Sequence, residues 1–464
     1  MKLIYGVKDK PKFNQVIVFA IQQLLAIMAA TLVVPVIINS NVTEMISNGT
    51  LTWALEKPMS STVALFGAGI GTLVYLLFTK FRSPVFLGSS FAFLGSMTAA
   101  FAGASSMALG YLGLILGAIT AGLVYVIIAI IVKFAGVQWI GKLMPPVVIG
   151  PTVTIIGLSL AGNAVGDLQT APAGGDSKIA LICGLVTLAV TIICSVYGKK
   201  MIRLIPFIMG ILAGYAIAAI FTVIGNAAGI DAFKVINFAP FQALVADGVG
   251  FKTFITLPEF SFLNALGGFD QLNGAYIATV AVAYAPVAFV VFAEHIADHK
   301  NISSIIEQDL LEDPGLHRTL LGDGVGSMVG AVFGGCPNTT YGESVGCVAI
   351  TGNASVITIV TTAIAAIAIS FLSPFVAFVN TIPSCVMGGV CMALYGFIAV
   401  SGLKMVQKVD LEHNANLFTV SAILIAGIGG LTLTFGKVSI TSIACALILG
   451  ILVNILVNKS RKNI

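Results

Sequence analysis

Four acidic residues lie inside long apolar stretches of this 464-residue sequence, where a charged side chain is unfavourable. Glu294 and Asp298 follow a long apolar run, Asp323 lies between two glycines, and Glu343 lies in a segment interrupted by Pro337. A charge at the centre of a bilayer costs at least about 2.5 kcal/mol, so acidic residues at that depth are candidates for ligand binding or proton transfer. The i, i+4 spacing of Glu294 and Asp298 predicts that both lie on one face of a helix.

Each of the four carboxylates also has a structural interpretation. Glu294 is predicted to end its membrane span, and the polar residues after Asp298 favour an interfacial position for that residue as much as a role in a site. For Asp323 a helix end or a packing role is the favoured interpretation. Glu343 can stabilise the first turn of a short helix and contact a ligand at the same time.

The composition indicates a polytopic membrane protein. Of all residues 58% are hydrophobic and 9% are charged, whereas soluble proteins have about 25% charged residues. The polar N-terminus lacks a cleavage site, so the first apolar run is predicted to be a retained span. The seven cysteines lie in or beside apolar runs and predict packing rather than disulfides. The scattered basic residues do not predict nucleic-acid binding, and His295 and His299 lack the further ligands of a metal site.

Fourteen segments are predicted to cross the membrane, since a helix needs about 20 apolar residues to span the hydrocarbon core. Two of them, 84–103 and 337–352, are interrupted by Gly, Ser, Thr and Pro. The others are 14–38, 61–80, 109–132, 144–162, 178–198, 204–225, 274–298, 317–334, 354–378, 384–402, 415–435 and 438–458. An even number of spans puts both termini on one side, which then carries 18 of the 23 lysines and arginines. The positive-inside rule therefore predicts cytoplasmic termini.

An internal repeat relates the two halves of the chain. Four pairs of segments match in the same order, namely 18–23 with 291–295, 67–72 with 322–327, 89–92 with 339–342, and 144–150 with 382–388. Each half then holds seven spans, and because seven is odd the halves have inverted topology. Interrupted spans at matching positions indicate the binding site of a transporter. Spans 3 and 10 are predicted to contribute two short strands that pair in the protein interior.

The chain resembles the nucleobase–ascorbate transporter family, most closely its bacterial uracil permeases, over nearly its whole length. The segments that carry the resemblance are 22–23 with Pro35, 88–93, 293–296, 322–324 and 334–352. The last contains the family signature, with Glu343 at its first position and Thr351 near its end. Three residues depart from the usual pattern: Ser344 replaces Asn, and Gln23 and Asp298 stand where many or some members have His.

The resemblance implies an all-α polytopic fold with core and gate domains. The core would comprise residues 1–136 and 274–380, the gate residues 137–225 and 381–464, and an extracellular loop residues 226–273. The gate would mediate a homodimer, and the protein would lie in the inner (plasma) membrane, with the lipid bilayer and a nucleobase as its partners.

The function implied is secondary active import of uracil by proton symport through alternating access, with no enzymatic activity and no cofactor. The implied substrate contacts are Glu294, Glu343, Phe91, Tyr341, Gly342 and Ser90. Because a buried carboxyl group favours its neutral form, we expect proton coupling at Glu294, with Glu343 or Asp298 as the other candidates. The expected supporting residues are Gln23, Asp323 and Ser344. A purine (xanthine or urate) symporter and, more remotely, an anion transporter of the same fold are alternatives, and sodium stays open as the coupling ion.

Overall fold

The computed structural model describes residues 3–136, 139, 145–172, 174–199, 201–246, 248–435 and 438–460. The residues that entered the loop charges or the repeat and lie outside this part are Lys2, Lys142, Met144, Lys200, Lys437, Arg461 and Lys462.

Helices dominate the described chain. They are α1 (Phe13–Ser47), α2 (Ser61–Phe78), α3 (Leu94–Ala102), α4 (Met107–Ala135), α5 (Pro146–Ser159), α6 (Ala161–Gln169), α7 (Ser177–Tyr197), α8 (Met201–Leu204), α9 (Pro206–Ala228), α10 (Ala239–Ala243), α11 (Phe251–Phe254), α12 (Ser261–Ala265), α13 (Gly274–Ile306), α14 (Leu316–Gly334), α15 (Gly342–Thr351), α16 (Val356–Ile369), α17 (Ser373–Thr381), α18 (Ser384–Val406), α19 (Asn414–Ile428) and α20 (Ser442–Ser460). The strands are β1 (Leu87–Ser89), β2 (Asn338–Thr340), β3 (Leu433–Phe435) and β4 (Val438–Ile440).

Eight helical segments of the described chain are long and apolar enough to cross a membrane, which makes this a multi-pass membrane protein. They are α1, α2, α4, α5 with α6, α7, α9, α13 and α18. Shorter apolar helices cover Phe91–Ala102, Val356–Ile369, Asn414–Ile428 and Ser442–Val457. The prediction of a polytopic helical protein is confirmed at this level.

The helices pack in two sets. In the first set, α14 packs against α2 and α4, α13 packs against α4, and α16 packs against α1 and α2. In the second set, α18 packs against α5, α6 and α7, α9 packs against α7, and α19 packs against α5 and α20. Fewer contacts, such as those of α13 with α20 and of α1 with α9, join the two sets. The space between the sets is where a cavity can form.

Glycines allow α2 and α14 to approach closely. A Cβ atom at Gly67 would lie 2.4 Å from the carbonyl oxygen of Gly330, and one at Gly71 would lie 2.7 Å from that of Gly326. Small residues at such crossings let helix backbones touch in a membrane. The glycine-rich segments 67–72 and 322–327, which match in sequence, therefore lie on helices that pack directly on each other.

Four predicted spans have the wrong bounds. Helix α1 continues to Ser47 instead of ending near 38. Helix α13 continues to Ile306 instead of ending near 298, because its later polar side chains are buried and hydrogen-bonded within the protein. The predicted span 354–378 divides into α16 and α17, since Pro374 cannot continue the preceding helix but suits the first turn of a new one. The predicted span 415–435 ends as a helix at Ile428, where Gly429 and Gly430 (φ +72°) lead into the β3–β4 hairpin. This hairpin has no counterpart in the sequence prediction.

Candidate functional site

Two short strands pair at the centre of the candidate site. β1 pairs with β2 in antiparallel register, with Gly88 opposite Thr339. The pairing extends at its ends, where the Ser90 amide donates to the Pro337 carbonyl at 2.9 Å and the Tyr341 amide donates to the Phe86 carbonyl at 3.2 Å. This pairing provides backbone hydrogen bonds inside the protein, where all six strand residues are buried. The prediction that the interrupted segments 84–103 and 337–352 contain paired interior strands is confirmed.

A cavity of about 620 Å³ lies between the two sets of helices, beside the ends of both strands. The first set of helices and its strands contribute Ser90, Phe91, Ala92, Val290, Glu294, Ala297, Asp298, Asn301, Thr339, Tyr341, Gly342 and Glu343. The second set contributes Val153, Ile156, Phe207, Leu394, Phe397, Ile398, Ser401, Lys404, Met405 and Lys408. All six residues expected to contact a substrate therefore line one cavity. We call it the first cavity.

Three carboxyl groups face the first cavity. Glu294 is exposed to it from the middle of α13, not from a helix end as the sequence predicted. Asp298, one turn further, is 8% exposed and accepts a 2.8 Å hydrogen bond from the Thr340 hydroxyl. Glu343 lies in the first turn of α15, where the free amides of the helix N-terminus favour a negative charge. The carboxyl groups of Glu294 and Glu343 are therefore partly open to the first cavity, whereas that of Asp298 is held in place by Thr340.

The aromatic side chains of the first cavity are fixed by specific contacts. The Tyr341 hydroxyl donates a 2.7 Å hydrogen bond to the Ser89 carbonyl, which ties the ring to β1. Gly88 leaves room for that ring, because a Cβ atom there would lie 2.3 Å from it. Phe91 meets Tyr395 of α18 edge to face, with ring centroids 6.3 Å apart. Aromatic rings held in this way can cover the face of a flat ligand.

Ser344 and Gln23 form a buried hydrogen-bonded pair that contacts the backbone just before β1. The Ser344 hydroxyl oxygen accepts hydrogen bonds from the side-chain amide of Gln23 and, at 3.0 Å, from the backbone amide of Phe86. Both side chains are buried, and neither lines the first cavity. Their position is consistent with the supporting role expected for them.

Asp323 lies in the interior of α14, so the helix-end part of the sequence interpretation is wrong, whereas a packing role is not contradicted. It is fully buried, and one of its oxygens lies 2.7 Å from Nδ1 of His295. Nε2 of His295 lies 3.0 Å from the Thr319 hydroxyl. The sequence analysis missed this pairing, because residues 28 positions apart share no local pattern.

His299 belongs to the same buried network. Its ring stacks on that of His295 with centroids 4.0 Å apart, and its Nε2 lies 2.7 Å from the Tyr75 hydroxyl. Nδ1 lies 2.9 Å from the His295 carbonyl, so that nitrogen carries a proton and donates it to the carbonyl. Within the described residues no group of three or more His, Cys, Asp and Glu side chains could hold a metal ion. The contacts of the two histidines with Tyr75 and Asp323 hold α13 against α2 and α14.

The wall contributed by α18 was also missed. Its cavity-lining residues recur every three or four positions, as Leu394, Phe397, Ile398, Ser401, Lys404 and Met405, and Lys408 just after the helix continues the series. This is the spacing of one helix face, and it was the available signal. Lys404 and Lys408 are exposed. Lys404 lies in the last turn of α18, and Lys408 follows two residues after its end.

Comparisons with known proteins match almost the entire chain to permeases. A family model described as a permease family, Xan_ur_permease, matches residues 14–436. The uracil permease of Bacillus caldolyticus is 36% identical over 98% of this chain and 95% of its own length. The uracil permease of Escherichia coli strain K12 is 35% identical over 96% of this chain and 92% of its own length.

Solved structures show a similar fold at low sequence identity. The transmembrane domain of the cyanobacterial bicarbonate transporter BicA aligns with a TM-score of 0.59 at 14% identity, covering 97% of this chain and 98% of its own. The murine anion transporter Slc26a9 in its inward-facing state aligns with a TM-score of 0.60 at 12% identity, covering 98% of this chain and 69% of its own. These two proteins are informative about the fold alone.

Proposed function

This chain belongs to the permease family that the sequence resemblance indicated, the nucleobase–ascorbate transporters, and we propose that it imports uracil together with a proton by alternating access. The observation that carries the proposal is the first cavity, in which Glu294 and Glu343 face one space beside two fixed aromatic rings. The uracil permeases at 35–36% identity support the choice of base.

Uracil is flat and neutral, with two ring N–H donors and two carbonyl acceptors. Glu294 and Glu343 can accept from the N–H groups, while the free backbone amides at the start of α15 can donate to the carbonyls. Phe91 and Tyr341 can cover the faces of the ring. Because a base with a different hydrogen-bonding edge would leave buried groups unpaired, such a site discriminates strongly.

Proton coupling is assigned to Glu294. Its carboxyl group faces the first cavity and makes no hydrogen bond to another described side chain, so it is free to exchange a proton with water and to bind the base. Asp298 and Glu343 share the space, and the neutral form of Glu294 removes one of three neighbouring negative charges. A proton would therefore favour closure of the loaded site. Glu343 and Asp298 are the alternative acceptors, and the three groups can titrate as a unit.

The architecture proposed for transport is fourteen spans in two inverted repeats. The pairing of β1 with β2 and the packing of α2 on α14 support it, since both join segments that match in sequence. The two sets of packed helices support a core of residues 1–136 and 274–380 and a gate of residues 137–225 and 381–464, with 226–273 as an extracellular loop. Cytoplasmic termini, a plasma-membrane location and a homodimer through the gate complete the proposal.

An anion is a poor fit to the first cavity, because three carboxyl groups line the region around the strand ends. Lys404 and Lys408 lie in the same cavity but at the end of α18. A purine remains the alternative within the family, and the transport assay separates the two bases.

The test is uptake of labelled uracil into proteoliposomes, with and without an inward proton gradient, in competition with unlabelled xanthine and hypoxanthine. Gradient-driven uptake that ignores the purines is expected. Glu312→Gln, which changes an exposed acid outside the first cavity, is the control and should transport normally. Absence of uracil uptake, or strong block by a purine, would overturn the assignment of the base.

A further inference from the structure

A second cavity of about 700 Å³ approaches the first from the other end of the interface between the two sets of helices. Its polar lining residues are Asn41, Glu44, Asn48, Thr98, Ser159, Asn163, Thr279, Thr432, Thr441 and Ser442. Among the described residues, Phe91 and Ile156 alone line both cavities. These two side chains therefore form the partition that separates the cavities.

Polar bonds join the two sets of helices beside this partition. The side-chain amide of Asn163 on α6 donates to the side-chain carbonyl of Asn41 on α1. One turn along α6, the carboxylate of Asp167 accepts a 3.3 Å hydrogen bond from the Ser40 hydroxyl. Asn41 is oriented by Thr98 of α3, whose hydroxyl accepts from its amide at 3.0 Å. Two adjacent residues of α1 thus contact one face of α6.

These contacts stand out because α1 and α6 pack little against each other. Helix α6 packs chiefly against α18 and α7, whereas α1 packs against α2, α3 and α16. Side-chain hydrogen bonds across a sparse interface can break without disturbing either helix set. Asp167 is 6% exposed, so its bond to Ser40 is shielded from bulk water in this conformation.

We propose that Ser40, Asn41, Asn163 and Asp167 form a polar clamp that keeps the partition of Phe91 and Ile156 closed, and that release of this clamp opens the first cavity toward the second. The proposal rests on the alternating-access function proposed above. In that cycle the first cavity must exchange its opening between the two sides of the membrane. The clamp joins the proposed core to the proposed gate, so the two domains cannot separate at this end while it is intact.

Loss of the clamp is expected to shift the equilibrium between the closed and the open partition about tenfold toward the open state. This is the effect of losing two ordinary hydrogen bonds of about 0.7 kcal/mol each. A reporter for opening is Val153→Cys, because Val153 lines the first cavity and not the second. An impermeant maleimide added on the side of the second cavity reaches this thiol when the partition opens. The seven native cysteines are buried, so the chain without the reporter gives the background.

In right-side-out and inverted vesicles, Asn163→Ala and Asp167→Ala are expected to raise the labelling rate of the reporter from the side of the second cavity, by about tenfold when combined. Asp167→Asn keeps an acceptor for Ser40 and should label like the unsubstituted reporter. Asn39→Ala is the matched control, since Asn39 lies on α1 beside the clamp but bonds Met59 within the same helix set, at 2.8 Å in both directions. Gel filtration of each variant verifies its fold.

Unchanged labelling in folded Asn163→Ala and Asp167→Ala proteins, or equal acceleration by Asn39→Ala, would overturn the clamp. The labelling does not depend on the substrate. Accelerated labelling without uracil uptake would therefore support the clamp and overturn only the choice of base. Normal uracil uptake with unchanged labelling would overturn the clamp alone.

Discussion

Replacing Glu294 by glutamine separates binding of the base from coupling to the proton. Glutamine keeps the length of the side chain and can still bond to a ligand, but it cannot take up a proton. The Glu294 carboxyl group makes no hydrogen bond to another described side chain, so the change leaves no partner unpaired. We therefore expect the free energy of unfolding to change by less than about 0.5 kcal/mol.

The expected effect on transport follows from the energy of the gradient. One pH unit is worth about 1.36 kcal/mol, which supports about tenfold accumulation of a neutral solute in one-to-one symport. Glu294→Gln should reduce this ratio to about one while exchange of internal for external uracil continues. Glutamine offers uracil the same uncharged carbonyl acceptor as the protonated carboxyl group of the loaded site, so binding of uracil should weaken by no more than about tenfold, the effect of one ordinary hydrogen bond.

The assay compares accumulation and exchange in the same proteoliposomes at a fixed pH difference. The uracil concentration is kept above the dissociation constant of the variant. Glu343→Gln is the matched variant, since it removes the other open carboxyl group of the first cavity. Retained accumulation in Glu294→Gln would refute its assignment as the coupling group. Loss of accumulation in Glu343→Gln alone would transfer the role to Glu343.

Three further substitutions test the support of the site. Ser344→Ala removes the acceptor of two buried donors, and it should lower the stability by about 1–3 kcal/mol, measured as a lower Tm of the solubilised protein. Gly88→Ala forces a Cβ atom against the Tyr341 ring, so it should lower the free energy of unfolding by about 1–3 kcal/mol and raise KM for uracil. An unchanged KM would contradict this geometry. Thr340→Val removes the donor to Asp298 and should lower Tm by an amount that Thr340→Ser restores, since serine keeps the hydroxyl.

The interrupted segments were the part of the fold most accessible from the sequence. Pro337 and the hydroxyl-bearing residues after it predicted an extended stretch, and the matching segment in the first half predicted its partner, so the β1–β2 pair could be anticipated. The six expected contacts lie on these segments or on α13, and each lines the first cavity. Local pattern suffices here because irregular backbone inside a membrane protein must pair with other protein groups.

The bounds of α13 and the position of Asp323 could not be found in this way. In sequence, a polar run after an apolar run is typical of a span that leaves the membrane, and residues 294–301 have this pattern. In the fold, His295 pairs with Asp323 and Asp298 bonds to Thr340, so the same polar residues lie in the interior. The partners come from two distant segments, and a single sequence does not reveal such long-range pairs.

The two matching halves supply different chemistry to the site. At the positions where the second half has Glu294 and His295, the first half has Gln22 and Gln23, and where the second half has Asp323 the first has Ala68. All three carboxyl groups that line the first cavity therefore come from the second half, while the first half contributes backbone and apolar surface around Phe91.

This asymmetry concentrates charge on one side of the strand pair. A carboxylate needs donors or a proton in a poorly hydrated space, and the second half provides Thr340 and the N-terminus of α15 for this purpose. The first half can then stay neutral and closely packed, as the glycine contacts of α2 require. We infer that an acidic substitution in the first half, such as Ala68→Asp on buried α2, would be unfavourable even though its counterpart Asp323 is tolerated. The reason is that the residue corresponding to His295 in the first half is Gln23, which bonds Ser344.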